Sequence, residues 1–393
     1  MSAASVGRMR RLLLLVAVLV FVDTMLYAAL TPLLPHFSHE LGLSKPRAGL
    51  LVAAYALGAL LGALPGGVTT VRLGARRAVL AGLTLMGLAS LGFAFAGGFW
   101  TLFAARLLQG GASAFTWAGA FAWLLTVAPR ERRGELLGSA MGAAVFGALL
   151  GPVVGAAAAL LGRAVVFASL AALALVLAGW ALRFDAPPAA QHPPAALPRA
   201  LRNRRFAGGL LLMSVPALLF GVLGVLGPLR LSAAGWGAAA IGAVWLTGAA
   251  LEAAQAPLVG RFLDRRGRLL PVRVSLAAAA LCSLGLATGA RPLAYVPLIV
   301  LASVAYGVLF TPAFALIADG AEEAGLAQGL AFGLMNAAWA TGALAGPAAG
   351  GAIAGAAGDS IPFVLAAVLC TGVLLLVGWR GTERPRVALS ERT

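Results

Sequence analysis

The sequence predicts an all-α membrane protein of twelve transmembrane helices in two six-helix pseudo-repeats, and its composition and hydrophobic pattern lead to this fold class. Of the 393 residues, 61% are hydrophobic and 11% are charged, whereas soluble domains carry about 25% charged residues. The apolar residues form runs of about twenty, the length of a helix that crosses a bilayer. Strands of a membrane barrel would instead alternate apolar and polar residues over short segments.

Glycines, prolines and charge clusters divide the apolar runs into two sets of six predicted spans. The first set is Leu12–His36, Arg47–Thr70, Ala78–Gly97, Trp100–Val127, Glu135–Leu161 and Ala164–Leu182. The second set is Ala207–Leu231, Ala238–Arg261, Pro271–Gly289, Leu293–Ala318, Leu326–Gly355 and Ile361–Trp379. Residues 183–206 contain five prolines followed by four arginines, which is typical of a solvated linker. We therefore predict a bundle over residues 1–182, a cytoplasmic linker over 183–206, and a second bundle with a short cytoplasmic tail over 207–393.

The distribution of basic residues predicts the orientation in the membrane. The linker, both chain ends and every second loop hold most of the arginines, while the opposite loops hold only Lys45, Arg47, Arg163, Arg230 and Arg291. The positive-inside rule then puts both termini in the cytoplasm, and the arginine- and alanine-rich composition suggests a bacterial inner membrane. The net charge of +16 does not predict nucleic-acid binding, because the basic residues lie in short loops rather than along one stripe.

Glycines and prolines recur between the two halves in the same order. Pro35, Gly67 and Gly74 recur at a constant offset as Pro228, Gly260 and Gly267, and the set Gly147, Gly151, Pro152 and Gly155 recurs as Gly342, Gly346, Pro347 and Gly350. Parallel six-helix halves are a transporter architecture in which the substrate site lies between the halves, near the membrane midplane.

Three ionisable side chains lie well inside predicted spans, namely Asp23, Arg106 and Glu252. Burial of a charge in a membrane costs about 2.5–3.5 kcal/mol on insertion scales, so such residues are candidates for function. None has a charged counterpart in the other half, which favours solute or ion chemistry over a scaffold role. As an alternative, Asp23 and Arg106 merely pair to hold two helices together.

Neighbours at helical spacing extend these positions into candidate binding faces. The residues assigned to a substrate site are Asp23, Tyr27, Gln109, Trp245, Glu252, Gln255, Tyr306, Phe310, Asn336 and Trp339. They could line a mostly apolar cavity with a few polar groups, as small-molecule sites usually do. Simple packing is the alternative for the aromatic residues. Such a cavity suits an amphipathic solute, a cation included, and Arg106 leaves an anionic or zwitterionic solute open.

Several segments resemble motifs of the major facilitator superfamily, and within it the twelve-helix drug:proton antiporters. Residues 260–268, GRFLDRRGR, match the loop motif G-x-x-x-D-R-x-G-R, and the loop after the second span keeps part of it but has Val71 in place of the aspartate. Residues 102–110, LFAARLLQG, resemble l-x-x-x-R-x-x-q-G, whose arginine is implicated in proton coupling. Residues 147–155, GALLGPVVG, resemble the antiporter motif G-x-x-x-G-P-x-x-G.

The first span also resembles the vesicular monoamine transporter branch of that superfamily, from Val22-Asp23-Thr24-Met25 to Pro35. The resemblance implies that Asp23 occupies the place of an aspartate that engages the substrate amine. That branch has further aspartates in helices ten and eleven, where this chain has Gly307 and Asn336. The full amine-antiporter chemistry is therefore not carried over.

Conformational gating is assigned to the motif residues and to two charged loops. Glycines four apart let two helix backbones approach closely in lipid, although tight packing alone would explain the same pattern. The basic loop after helix two and the acidic loop after helix ten are predicted to pair when the cytoplasmic side closes, with solvated loop charge as the alternative. The gating residues are Gly67, Arg72, Gly74, Gly147, Gly151, Pro152, Gly155, Gly260, Asp264, Arg265, Gly267, Arg268, Gly346, Pro347, Glu322 and Glu323.

Together, these features predict a monomeric secondary transporter that exports a small amphipathic drug or metabolite in exchange for protons. Asp23, Arg106 and Glu252 are the predicted proton-coupling residues, and one of the two acids would bind either a proton or the substrate. The alternative is a facilitator or proton symporter that imports a sugar or an organic acid. No motif indicates an enzyme, a cofactor or a metal site.

Overall fold

The computed structural model describes residues 3–127, 133–184, 197–266, 269–289, 291–326 and 328–380. Within these ranges the chain forms fifteen α-helices and no strand, which confirms the all-α fold class. The first half contains α1 (Ala3–Ala28), α2 (Leu30–Glu40), α3 (Lys45–Leu73), α4 (Ala75–Ala94), α5 (Phe99–Val127), α6 (Arg133–Leu161) and α7 (Arg163–Ala181). Short helix α8 (Leu197–Arg202) lies within the predicted linker. The second half contains α9 (Arg204–Ala233), α10 (Ala238–Arg266), α11 (Leu269–Ala287), α12 (Pro292–Val308), α13 (Phe310–Glu323), α14 (Gln328–Ala357) and α15 (Ser360–Arg380).

Two of the predicted spans are broken in the middle. Only Ala29 separates α1 from α2, and only Leu309 separates α12 from α13. Counting each pair as one span, the described helices other than α8 are consistent with the twelve predicted spans. Nine helical segments in the described ranges are long and apolar enough to cross a membrane.

A proline explains the position of each break. Pro32 lies four residues after Ala28, the last residue of α1, and Pro312 lies four residues after Val308, the last residue of α12. Proline has no N–H for the carbonyl four residues earlier, and its ring clashes with that carbonyl. Both breaks therefore follow from the sequence, and both leave backbone carbonyls in the middle of a span without a helical partner.

Close helix contacts build each half in the same way. A methyl group added at Gly147 or Gly155 of α6 would lie 2.1 Å from a carbonyl oxygen of the first span, that of Phe21 or Ala29. In the second half, α14 approaches α9 equally closely at Gly342. The glycine pattern that repeats in the sequence therefore corresponds to a repeated helix contact, in which only glycine leaves enough room for the neighbouring backbone.

The two halves are in direct contact at one end of the bundle. We call the end that carries Lys45 and Asp359 the Lys45 face, and the opposite end, which carries Arg72 and Glu323, the Arg72 face. At the Lys45 face, a methyl group added at Gly49 would lie 2.2 Å from the Pro347 carbonyl oxygen, so α3 and α14 touch through their backbones. Beside this contact, Lys45 Nζ lies 2.5 Å from Asp359 Oδ1, an ion pair between the halves. The Lys45 face is thus closed along these helices.

We expect Gly147→Ala to destabilise the protein, because the added methyl group would force α6 away from α1. Overpacking of this kind costs about 1–3 kcal/mol. The measurement is the thermal unfolding midpoint in detergent. The matched control is Gly138→Ala in the same helix, where the added methyl group meets no atom within 4 Å. Equal midpoints for the two variants would contradict the close contact.

Candidate functional site

Asp23 of α1 is the centre of a buried polar cluster. Its side chain is only 3% exposed, and its Oδ2 atom accepts hydrogen bonds from Ser113 Oγ at 2.7 Å, Trp117 Nε1 at 2.7 Å and Tyr55 Oη at 3.1 Å. Ser113 and Trp117 are four residues apart and so lie on one face of α5. Because an indole nitrogen can only donate, the Trp117 contact requires an acceptor at Asp23.

Arg106 of α5 binds the broken end of α1. Its Nη2 atom donates to the Tyr27 carbonyl at 2.6 Å, and its Nη1 atom donates to the Leu26 carbonyl at 3.2 Å and to Gln109 Oε1 at 2.6 Å. The last carbonyls of a helix have no partner within it, and they carry the negative end of the helix dipole, which favours a cation. Arg106 therefore caps α1 immediately before the break at Ala29.

Asp23 and Arg106 lie in the same cluster without bonding to each other. Among the described contacts, the Asp23 carboxylate binds three side-chain donors, and Arg106 binds two carbonyls and Gln109. The simple ion pair that the sequence left open as an alternative is therefore not the arrangement seen. Each charge has its own set of polar partners.

Aromatic rings surround the guanidinium group and connect the two halves. The ring centroid of Tyr27 lies 4.8 Å from that of Tyr55 and 5.2 Å from that of Trp339, which belongs to α14. Arg106 Cζ lies 4.9 Å from the Tyr55 centroid and 5.4 Å from the Tyr27 centroid, which is within the range of cation–π attraction. We call Tyr27, Tyr55 and Trp339 the aromatic cluster.

A second line of rings leads from Asp23 toward the Arg72 face. The Trp117 ring lies 5.3 Å from Phe121, and Phe121 stacks on Phe332 of α14 with centroids 6.1 Å apart. Helix α14 thus meets the first half at two levels, once where Trp339 packs on Tyr27 and Tyr55 and once where Phe332 stacks on Phe121 of α5. Phe121 and Phe332 are not among the residues that the sequence predicts for the site.

Glu252 of α10 has a different environment from Asp23. Within the described part of the chain, no hydrogen bond or ion pair holds its carboxyl group. It lies against Gly307 of α12, where an added methyl group would be 2.4 Å from Glu252 Cδ. One turn further along α10, Gln255 Nε2 donates to the Val304 carbonyl at 2.9 Å. Glu252 and Gln255 therefore face α12 rather than the Asp23 cluster.

Three aromatic residues assigned to the substrate site pack inside the second half. The Tyr306 hydroxyl shares a hydrogen bond of 2.8 Å with Ser283 Oγ, and the residue is only 1% exposed. Phe310 stacks on Phe220, and the tip of the Trp245 ring packs on Gly227. The contacts of these residues are thus those of packing within the half. Asn336, half-buried on α14, lies one turn before Trp339.

Glu323 of the charged gating residues and Arg76 of the predicted basic loop, at the start of α4, each have a partner within their own half in this structure. Glu323 forms an ion pair with Arg205 and accepts a hydrogen bond from Asn203 Nδ2 at 3.0 Å, while Arg76 donates to the Phe184 carbonyl at 3.2 Å. Arg72 and Glu322 are exposed, so pairing across the Arg72 face stays a prediction.

The remaining gating residues divide between helix contacts and one loop. Gly151 of α6 continues the close contact with the first span, and Gly346 of α14 continues the contact with α9. The carbonyl of Pro152 lies instead against Gly242 of α10, in the second half. Gly67 faces open space, and Gly74 joins α3 to α4 with a φ of +93°, a conformation that favours glycine. The side chains assigned to the second loop motif, those of Gly260, Asp264, Arg265, Gly267 and Arg268, lie outside the part of the structure that is described.

The three donors to Asp23 belong to the candidate site but were not predicted from the sequence. Ser113 and Trp117 stand seven and eleven residues after Arg106, which is a single helical stripe, so the pattern was available in the sequence. Tyr55 offered no such signal, because it reaches Asp23 only through the packing of α3 on α5. That packing is close at Gly110, where an added methyl group would lie 1.8 Å from the Tyr55 carbonyl oxygen.

Comparison with known proteins gives similarities in sequence and in structure. A sequence profile of the Major Facilitator Superfamily matches residues 16–332. A protein from Danio rerio described as probable vesicular acetylcholine transporter-B is 35% identical over 158 residues, which is 38% of this chain. The match spans only about a third of that relative, 32% of its length.

Two solved structures share the fold. The xylose transporter XylE from E. coli, in a partially occluded inward open conformation, has a TM-score of 0.72 and 14% identity over 96% of this chain and 100% of its own. The nucleoside transporter NupG has a TM-score of 0.69 and 16% identity over 94% of this chain and 98% of its own. At these identities, the likeness concerns the fold alone.

We expect Trp117→Phe to destabilise the cluster, because it keeps an aromatic ring but removes one of the three donors to Asp23. Loss of a buried hydrogen-bond partner costs about 1–3 kcal/mol. The thermal unfolding midpoint in detergent measures the effect. Trp100→Phe is the matched control, since Trp100 lies on the same helix and is 72% exposed. A Trp117→Phe protein as stable as this control would contradict the arrangement.

Proposed function

Because this chain belongs to the major facilitator superfamily, we propose that it is a secondary active transporter that exports a small amphipathic solute in exchange for protons. The observation that carries the proposal is the cluster around Asp23, where a buried carboxylate, a buried arginine and aromatic rings from both halves meet. Buried ionisable groups in a membrane protein are expensive, and in transporters they mark ion and substrate pathways.

One oxygen of Asp23 supports the exchange of a proton for cargo. The three donors all bind Oδ2, and within the described residues no hydrogen bond reaches Oδ1. A proton or a cationic group of the cargo can bind at Oδ1, and either one neutralises the carboxylate. Both cannot do so at once, so binding of one favours release of the other. Competition of this kind is what antiport requires.

Arg106 supports the coupling of this site to helix movement. It joins α5 to the end of α1 through two backbone carbonyls, so a rotation of α5 draws the broken first span with it. Its position beside Asp23 also means that the local charge changes when the carboxylate is neutralised. Arg106 thus connects occupancy of the site with the relative position of two helices of the first half.

The aromatic cluster favours a cationic cargo. Aromatic faces attract organic cations, quaternary ammonium groups among them. The partial sequence match to a probable vesicular acetylcholine transporter-B agrees with this chemistry, since acetylcholine is a quaternary ammonium ion. Arg106 now lies on the faces of Tyr27 and Tyr55, so a cation would have to share or displace that contact. The carboxylate of Asp23 supplies the opposite charge.

Direction and orientation are part of the same proposal. The Arg72 face carries the arginine-rich loops and would be cytoplasmic in a bacterial inner membrane, with both termini on that side. The Lys45 face, closed by α3 and α14, would then face outward, so this conformation would receive cargo from the cytoplasm. Import of a sugar or an organic acid by facilitation or symport is the competing function, and the direction of proton flow separates the two.

We expect Asp23→Asn to abolish transport driven by a pH gradient, because asparagine is neutral and cannot exchange a proton. The measurement is uptake of tetraphenylphosphonium into proteoliposomes with an acidic interior, the direction in which an antiporter accumulates its cargo. Asp185→Asn in the linker is the control for removal of an acid. If the Asp23→Asn protein takes up tetraphenylphosphonium in response to the gradient as well as the Asp185→Asn control does, Asp23 does not couple cargo to protons.

The solute itself is best found by drug-susceptibility profiling. A host that lacks its own pumps would be compared with and without this chain, and with the Asp23→Asn variant. We expect raised tolerance to a set of amphipathic cations that depends on Asp23. Raised growth on a sugar or an organic acid, without a change in tolerance, would support import instead.

A further inference from the structure

The carboxyl group of Glu252 occupies the space that a side chain at Gly307 would need. A methyl group added at Gly307 would lie 2.4 Å from Glu252 Cδ and 2.6 Å from its Oε1. Non-bonded carbon atoms require about 3.5 Å, so any other residue at this position would push the carboxyl group away. The missing side chain of Gly307 therefore determines where the acid of α10 lies.

This contact is at the carbonyl end of α12, next to the second helix break. Helix α12 ends at Val308, and Pro312 offers no N–H to the carbonyl of that residue. The last carbonyls of a helix lack partners and carry the negative end of its dipole. Three carbonyls near the break already accept a hydrogen bond: that of Val304 from Gln255, that of Ala305 from Ser275 Oγ, and that of Tyr306 from the Leu309 N–H. Within the described residues this leaves the carbonyl of Val308 open to a donor. The end of α12 therefore suits a group that can donate a hydrogen bond.

The break in the first span shows what such a donor does. There, Arg106 reaches across from a neighbouring helix and donates to the carbonyls of Leu26 and Tyr27. Glu252 of α10 lies against Gly307 beside the break in α12–α13. An ionised carboxylate only accepts hydrogen bonds, whereas the protonated acid can donate one. Only the proton makes Glu252 a suitable partner for this helix end.

No other ionisable group takes part in this contact within the described part of the chain. The helices packed against α10 are α2, α6, α9, α11, α12 and α13. Their ionisable residues are His36, His39, Glu40, Arg133, Glu135, Arg204, Arg205, Arg230, Arg273, Cys282, Tyr295, Tyr306, Asp319, Glu322 and Glu323, and α10 itself adds Arg261, Asp264, Arg265 and Arg266. Tyr306, next to Gly307, is bound to Ser283 instead.

We propose that Gly307 is a positioning residue that seats the carboxyl group of Glu252 at the end of α12, where gain or loss of its proton changes the angle between α12 and α13. The protonated acid donates to the free carbonyl end and holds the present geometry. When the proton leaves to water, the carboxylate faces only acceptors, and the break relaxes to another angle. The inference rests on the proposed function only in assigning this movement to proton-coupled transport.

The test measures the distance across the break as the pH changes. Spin labels are attached to cysteines introduced at Leu293 in α12 and Ala318 in α13, in a background with Cys282→Ala and Cys370→Ala. Distances are measured by pulsed electron paramagnetic resonance in lipid nanodiscs. We expect the distance distribution to shift with pH in this background. Glu252→Gln should abolish the shift, because the amide stays neutral at every pH.

Variants at Gly307 separate positioning from general packing. Gly307→Ala should remove the pH shift, and the double variant Gly307→Ala with Glu252→Asp should restore it, because aspartate is one methylene shorter and leaves room for the added methyl group. The control Gly224→Ala, where the added methyl group meets nothing within 4 Å, should keep the shift. Restoration by the shorter acid would not be expected if Gly307 were needed only for folding.

The proposal is overturned if the distance across the break still changes with pH in Gly307→Ala or in Glu252→Gln. It is also overturned if the double variant does not regain the pH-dependent change in that distance. Uptake of tetraphenylphosphonium by the same variants in proteoliposomes tells this failure from failure of the proposed function. A break that responds to Glu252 as described, without any gradient-driven uptake, would refute proton-coupled export and leave the positioning role of Gly307 standing. Gradient-driven uptake, together with a distance across the break that does not change with pH, would refute the positioning role of Gly307 and leave proton-coupled export standing.

Discussion

The need to satisfy polar groups inside the membrane determines most of this structure. Pro32 ends α1 and leaves the carbonyls of Leu26 and Tyr27 without helical partners, and Arg106 supplies the missing donors. Since unsatisfied backbone groups are not tolerated in lipid, this cap fixes α5 against α1. The same register brings Ser113 and Trp117, further along α5, to the carboxylate of Asp23. The candidate site is thus a consequence of how one broken helix is completed.

The two halves share a scaffold but differ in their charges. The motif glycines bring α6 onto the first span and α14 onto α9 with nearly the same closeness, as the repeat in the sequence predicts. The acids do not follow this symmetry. Asp23 is held by three donors, while within the described residues Glu252 has none and rests on the backbone of Gly307. Under the proposed function, these unequal acids in a symmetric frame would give each half its own response to protons.

The sequence was sufficient for the fold and for part of the site. Composition, span length and the glycine repeat depend on local pattern, and the fold class that they predicted is confirmed. The family that the motif resemblance implied is confirmed as well. The break at Ala29 was missed although Pro32 was visible, because some prolines lie inside a membrane helix without ending it, as Pro152 does in α6. Tyr306 was assigned to a cavity, but spacing along one helix does not reveal that its hydroxyl meets Ser283 on another. Tyr55 was missed for the same reason.

Competition between a proton and cargo at Asp23 is the central claim, and proton release tests it most directly. Purified protein in weakly buffered detergent solution would receive tetraphenylphosphonium at a pH where Asp23 holds a proton, and a pH indicator would follow the solution. The account predicts that the cation displaces protons into the solution from the native chain and none from the Asp23→Asn variant. Binding of the cation to the native chain without any proton release, or equal release from both proteins, would contradict it.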